Sequence, residues 1–261
     1  MNKLDKLKLE LKEYKKICIA YSGGCDSNFL FHVAVKTLGK ENVLAVLVEG
    51  YMMPKNDLKD ALEQLKGYNY KKININVFDV KEFKENDKKR CYFCKKNLMS
   101  RIKEVAASEN INYVLDGKNK DDEGVYRPGN EATKELGIIS PLFNNNLSKE
   151  EIRTYSKELG ISTFDKPSNA CLASRFNYGV VLTKEKLMMV DKAETIIHSM
   201  GIRNVRVRVE SKEARIEVDR QDINTIISSK TLVNDFKKLG FETITLDLEG
   251  IKHGGYDKGE K

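Results

Sequence analysis

Ile17-Cys18-Ile19-Ala20-Tyr21-Ser22-Gly23-Gly24-Cys25-Asp26-Ser27 is the stretch that decides the fold. An apolar run of strand length enters a polar loop with two adjacent glycines. Asn28 to Leu38 then carries apolar residues at helical spacing until Gly39 stops it. Strand, glycine loop and helix form the unit from which parallel sheets are built. The next apolar run, Val43-Leu44-Ala45-Val46-Leu47-Val48, is continuous rather than alternating, as suits a strand covered on both faces. A helix before the loop (4–15), a helix at 57–67, a strand at 72–78, a helix at 95–109 and a strand at 113–116 continue the alternation. The fold class is α/β, a doubly wound parallel sheet. Ligands of such sheets bind outside the carboxyl ends of the strands. Three polar clusters fall there: Ser22–Ser27, Glu49-Gly50 and Asp116-Gly117-Lys118-Asn119.

After about residue 180 the pattern changes to helix (184–200), strand (203–210), strand (213–218), helix (220–239) and strand (242–248). This reads as a smaller α+β domain of αββαβ order. The expected division is 1–180, 181–250 and a fraying Gly-rich tail at 251–261. The 261 residues hold 46 Lys and Arg against 39 Asp and Glu, a net charge of +7. With 40% hydrophobic and 33% charged residues, the composition excludes a disordered or collagen-like chain. No apolar run approaches the roughly 18–20 residues of a membrane span, and the charged N-terminus lacks a signal-peptide core. A reducing cytoplasmic location is expected, where the five cysteines serve as ligands or nucleophiles rather than disulfides. The positive balance is mostly scattered Lys and reads as solubility.

Ser22-Gly23-Gly24-Cys25-Asp26-Ser27 is built for phosphate. The glycines let backbone N–H groups approach an anion, and the following helix N-terminus adds its dipole. Ser22 and Ser27 supply hydroxyl donors. Asp26 repels phosphate and is suited to Mg²⁺. The loop has neither the Lys of a Walker A loop nor Gly-x-Gly-x-x-Gly spacing. It resembles the PP-loop of the ATP pyrophosphatases, with their adenine nucleotide alpha hydrolase-like fold. That resemblance implies cleavage of ATP to AMP and pyrophosphate, and activation of a substrate by adenylation.

Cys91-Tyr92-Phe93-Cys94 opens a helix, and Cys171 follows in Ala170-Cys171-Leu172-Ala173-Ser174-Arg175-Phe176. A C-x-x-C pair alone is compatible with redox, metal-binding or structural roles. A zinc site normally takes four ligands, and none of the three histidines adjoins these cysteines in sequence. Three thiolates suit a 4Fe-4S cluster with one open iron. Lys88, Lys89, Arg90, Lys95 and Lys96 surround the pair; they would favour its thiolates, or simply form a solvated helix face. Cys18 is expected as inert core, and Cys25 as facing sheet–helix packing.

Three segments, AYSGGCDS (20–27), LDGKNKDDEGVYRPG (115–129) and KPSNACLASRFNYG (166–179), are joined by NVRVRVESKEARIEV (204–218) in the small domain. Together they resemble the LarE family, sulfur-inserting enzymes of nickel-pincer nucleotide synthesis, over nearly the whole chain. The resemblance implies that a carboxylate of pyridinium-3,5-dicarboxylate mononucleotide attacks ATP. Sulfur then displaces AMP to leave a thiocarboxylate. Some members consume a cysteine as the sulfur source. Others hold a 4Fe-4S cluster on three cysteines whose open iron binds hydrosulfide. Cys91, Cys94 and Cys171 match the second type, with a sulfide source as partner.

By motif position, Ser22, Gly23, Gly24, Asp26 and Ser27 bind the ATP phosphates and Mg²⁺, and Gly117 approaches the nucleotide. Cys171, Ser174 and Arg175 face the reacting group, and Arg127 is a further anion-binding candidate. Arg206 and Arg208 share one strand face. With Glu217 they form either a buried ion network or a substrate-phosphate site. The family further implies a homo-oligomer. Asp121, Asp122 and Glu123 read as a solvated turn, and His32, His198 and His253 as structural or surface residues. A tRNA thiolase of the same superfamily would need an RNA-binding surface of basic and aromatic residues, which no segment supplies. A non-catalytic ATP binder would not require the three cysteines. No nucleic acid and no membrane is expected as a partner.

Overall fold

The computed structural model describes residues 1–123, 128–168 and 170–251. The strands are β1 (Ile17–Tyr21), β2 (Val43–Glu49), β3 (Tyr70–Asn74), β4 (Tyr113–Leu115), β5 (Val205–Glu210), β6 (Glu213–Val218) and β7 (Thr243–Leu246). The helices are α1 (Lys3–Tyr14), α2 (Cys25–Leu38), α3 (Lys55–Gln64), α4 (Lys81–Lys84), α5 (Arg90–Ser108), α6 (Gly129–Glu135), α7 (Pro141–Asn144), α8 (Lys149–Glu158), α9 (Lys184–His198), α10 (Ile223–Ile227) and α11 (Leu232–Lys238). The chain divides into two units. One comprises Met1–Gly50, Asp57–Asn76 and Lys89–Asn169; the other comprises Tyr51–Asn56, Val77–Lys88 and Ala170–Lys261.

The first unit is built on a four-stranded sheet of order β3-β2-β1-β4. All three pairings are parallel. β1 and β2 are buried on both faces, as their uninterrupted apolar runs require. On one face, Met99, Ile102 and Ala106 of α5 pack against Cys18, Leu44, Val46 and Val114. On the alternate face Ile17, Ile19, Ala45 and Leu47 are equally buried, and α2 packs against the same two strands. β1 continues to β2 on one side and pairs with β4 on the other, so strand order reverses between β1 and β4. The phosphate-loop sequence leaves the carboxyl end of β1 at that point.

A buried hydrogen-bond chain braces the loop from behind. The Tyr21 hydroxyl bonds Asn28 Oδ1 at 2.7 Å, and Asn28 Nδ2 donates to Thr163 Oγ1 at 2.9 Å. Tyr21 and Asn28 flank the loop on β1 and α2. α6, α7 and α8 fill a region where the sequence reading contains no helix. α8 starts with a capping box, in which Ser148 and Glu151 each bond the other's backbone N–H.

The second unit carries a three-stranded sheet of order β5-β6-β7. β5 and β6 are antiparallel, and β6 and β7 parallel. Ser211, at φ +54°, makes the tight turn of the hairpin. The helix expected over 220–239 is broken into α10 and α11, and Ser229 Oγ accepts the Leu232 N–H at the second start. The tail residues 252–261 lie outside the described residues. Among the described residues, no helix is long and apolar enough to cross a membrane.

Asn28→Leu leaves Thr163 without its buried donor while Tyr21 keeps Gln64 (2.6 Å). Urea unfolding is expected to register a loss of about 1–3 kcal/mol. A loss near zero would mean the chain does not brace the loop.

Candidate functional site

The loop that follows β1 is shaped by two close approaches. Gly23 has φ +72°, and a Cβ there would lie 2.5 Å from the Ala61 Cβ of α3. A Cβ on Gly117, after β4, would lie 2.9 Å from the backbone N of Ser27. Gly117 is therefore bare because it presses on the loop's own backbone. Within the loop, Ser22 Oγ and Ser27 Oγ are 3.0 Å apart, and Ser27 Oγ donates to the Gly24 carbonyl at 3.2 Å. Cys25 is buried, and burial pushes its thiol pKa up.

Asp26 stands in the first turn of α2. Its Oδ2 accepts a 2.6 Å bond from Lys149 Nζ, while its Oδ1 is buried with no hydrogen-bond partner. A carboxylate oxygen oriented this way, beside an anion-binding helix terminus, fits a divalent cation. Lys149 is a residue the sequence reading missed. It begins α8, where its own N–H is capped by Asp121 Oδ2 at 2.8 Å. Asp122 caps the turn at Asn119. Asp121 and Asp122 are thus spent on backbone caps.

Cys91 is exposed and Cys94 half-buried, one turn apart at the start of α5. Of the basic residues around them, Lys96 is committed to Glu135 at 2.8 Å and to the Tyr92 hydroxyl at 3.0 Å. Cys18 is fully buried and its thiol is pushed up to about 12 by burial, as inert core requires. Among the described residues, no three His, Cys, Asp or Glu side chains are grouped to hold a metal ion.

Cys171 belongs to the second unit, where it is exposed at the head of the short turn Leu172–Arg175. That turn is held by guanidinium groups. Arg175, only 1% exposed, pairs through Nε and Nη2 with both oxygens of Glu194, at 2.7 and 3.0 Å. Its Nη1 donates to the Ala170 carbonyl and to Ser174 Oγ. Arg175 is thus turned inward, with its donors engaged by the protein. Arg208 pairs with Glu217 and donates through Nη1 to the Ser174 carbonyl at 2.7 Å. Glu194 also accepts the Val207 N–H at 2.9 Å. Arg206 lies opposite Glu217 in the β5–β6 register.

Arg175, Arg206, Arg208, Glu194 and Glu217 are all buried. With Asp191 also buried, three cations meet three anions inside the unit. Burial, followed by the neighbouring Arg175 and Arg208, pushes the Arg206 pKa down to about 10. A buried guanidinium whose charged form is disfavoured in this way is stabilised by an incoming anion. Arg127 and His253 lie outside the described residues.

Residues 2–125 match the NAD synthase family, the region of the four-stranded sheet and its loop. The pyridinium-3,5-bisthiocarboxylic acid mononucleotide synthase of Lactiplantibacillus plantarum is 34% identical over 94% of this chain and 90% of its own length. The chain belongs to the LarE family. Uncharacterized protein slr1717 of Synechocystis sp. is 39% identical over 97% of this chain and 96% of its own. Uncharacterized protein MJ0830 of Methanocaldococcus jannaschii is 32% identical over 95% and 97%.

The two arginines separate by stability. Arg175→Met leaves Glu194 buried without its partner and is expected to cost about 3–5 kcal/mol in urea unfolding. Because the folded pKa of Arg206 is lowered, its charged form is disfavoured in the fold throughout neutral pH, and the penalty fades only above about pH 10. Arg206→Met is therefore expected to leave the melting temperature unchanged or raise it. Equal destabilisation by both would remove the distinction.

Proposed function

We propose that the chain is an ATP-dependent sulfurtransferase that converts the carboxylates of pyridinium-3,5-dicarboxylate mononucleotide to thiocarboxylates, releasing AMP and pyrophosphate. The observation that carries this reading is near-full-length similarity to a synthase of the bisthiocarboxylic acid mononucleotide, joined to a phosphate loop whose Asp26 Oδ1 is buried without a partner.

A carboxylate is a poor electrophile, so the chemistry needs a leaving group. A substrate carboxylate oxygen attacks the α-phosphorus of ATP, and the bond from that phosphorus to the bridging oxygen breaks. Pyrophosphate leaves with the electron pair. The loop N–H groups and the Ser22 and Ser27 hydroxyls receive the departing phosphates, and Lys149 adds positive charge beside Asp26. Asp26 would hold Mg²⁺, which neutralises charge on the triphosphate. Sulfide then adds to the acyl carbon, and the carbon–oxygen bond to AMP breaks.

Cys91, Cys94 and Cys171 would hold a 4Fe-4S cluster, the donor set being three accessible thiols while Cys18 and Cys25 are buried. The cluster would supply a sulfide nucleophile at neutral pH. Under this reading Cys171 is a ligand on a clamped turn and is not consumed. Arg206 receives the substrate phosphate, with Arg208 and Glu217 beside it. Arg175 acts as a positioning residue through Ser174 and Ala170.

Asp26→Asn is expected to lower mononucleotide-dependent pyrophosphate release roughly a hundredfold or more while leaving iron content unchanged. Undiminished release would remove Asp26 from the metal role. Anaerobically purified protein is expected to hold about four irons per chain, and Cys91→Ala to lose them while still binding ATP. Zinc in place of iron, or iron retained by Cys91→Ala, would make the ligand set wrong.

A further inference from the structure

Beyond Gly117 at the carboxyl end of β4, a cavity of about 700 Å³ opens among Lys118, Glu131, Lys134, Ile138, Ser140 and Phe143. Small-molecule sites typically measure roughly 300–1,000 Å³. The cavity wall is tied to the phosphate loop. Gly117 presses on Ser27, and its neighbour Lys118 lines the cavity. Asp116 Oδ1 joins two parts of the wall by accepting the Lys118 N–H at 3.2 Å and the Ser140 hydroxyl at 2.7 Å. In open parallel sheets, ligands gather where strand order reverses. Here that is between β1 and β4. The phosphate loop takes the end of β1, which leaves the end of β4 for a second reactant.

The chemistry of the wall narrows that reactant. Lys118 Nζ lies 4.0 Å from the centroid of the Phe143 ring. An aromatic face that already carries an ammonium is a cation-binding surface. A positively charged aromatic ring satisfies the same face with far larger stacking area, and frees the Lys118 ammonium to meet a carboxylate. Lys134 adds a second cation, whereas Glu131 disfavours a bare polyanion. The surface therefore suits a flat ligand with a cationic ring and carboxylate substituents.

We propose that this cavity seats the pyridinium ring of the acceptor substrate, stacked on Phe143 with a ring carboxylate on Lys118. The inference rests on the sulfurtransferase reading and adds a residue-level site for the acceptor. Lys118 and Phe143 are then specificity-determining residues, because they distinguish a charged pyridinium ring from a neutral one.

Calorimetric titration of the full chain, saturated with α,β-methylene-ATP, tests this with pyridinium-3,5-dicarboxylate mononucleotide as the probe. Phe143→Leu and Lys118→Gln are each expected to weaken the probe about five- to tenfold. Phe143→Tyr, which keeps the aromatic face, is expected to stay within about twofold. Unchanged affinity for the ATP analogue shows that a variant is folded; if Phe143→Leu fails that check, Lys118→Gln decides. A folded variant that binds the probe as tightly as the unaltered protein overturns the cavity assignment and leaves the sulfurtransferase reading standing. An unaltered protein that binds the ATP analogue but not the probe overturns both.

Discussion

A loop built to hold anions carries a carboxylate in its own first helical turn. That conflict organises the first unit. The backbone around Ser22–Ser27 and the α2 terminus attract negative charge, and Asp26 places negative charge there in advance. One Asp26 oxygen is neutralised by Lys149, and the other is buried with no hydrogen-bond partner. Under the proposed function, triphosphate and a divalent cation bound together would resolve the conflict. The surrounding packing serves the same end: Ala61 closes on Gly23, Ser27 on Gly117, and Asn28 anchors the helix start to Thr163.

The second unit also buries charge. Three arginines and three acids, Asp191, Glu194 and Glu217, are buried there. Isolated, such an arrangement costs stability. Its members also hold the turn that bears Cys171, through the Ala170 and Ser174 carbonyls. Under the proposed function, a network that holds this turn and receives the substrate phosphate would link substrate charge to the geometry of a thiol.

Much of this was legible in the sequence where one local pattern carries the information. The continuous apolar runs of β1 and β2 and the Gly23-Gly24 pair decide strand, loop and helix without help from distant residues. The alternation Val205-Arg206-Val207-Arg208-Val209 already places two arginines on one face. It does not say that both faces are buried, which depends on what covers them. Lys149 was not legible because it meets Asp26 across 123 residues of chain. Glu194 was missed because a Glu inside an amphipathic helix looks like surface until its partner is known. α6, α7 and α8 escaped because they are short and their apolar positions too few to set a period. The contact of Gly117 with the loop backbone is a constraint visible only once the two strand ends stand together.

The account turns on a carboxylate oxygen becoming bonded to phosphorus before sulfur arrives. Single-turnover reaction with mononucleotide labelled with ¹⁸O in its carboxylates, followed by mass spectrometry of the nucleotide product, tests that directly. The account predicts AMP carrying one ¹⁸O for each thiocarboxylate formed, with none in pyrophosphate. Unlabelled AMP alongside thiocarboxylate product would contradict it.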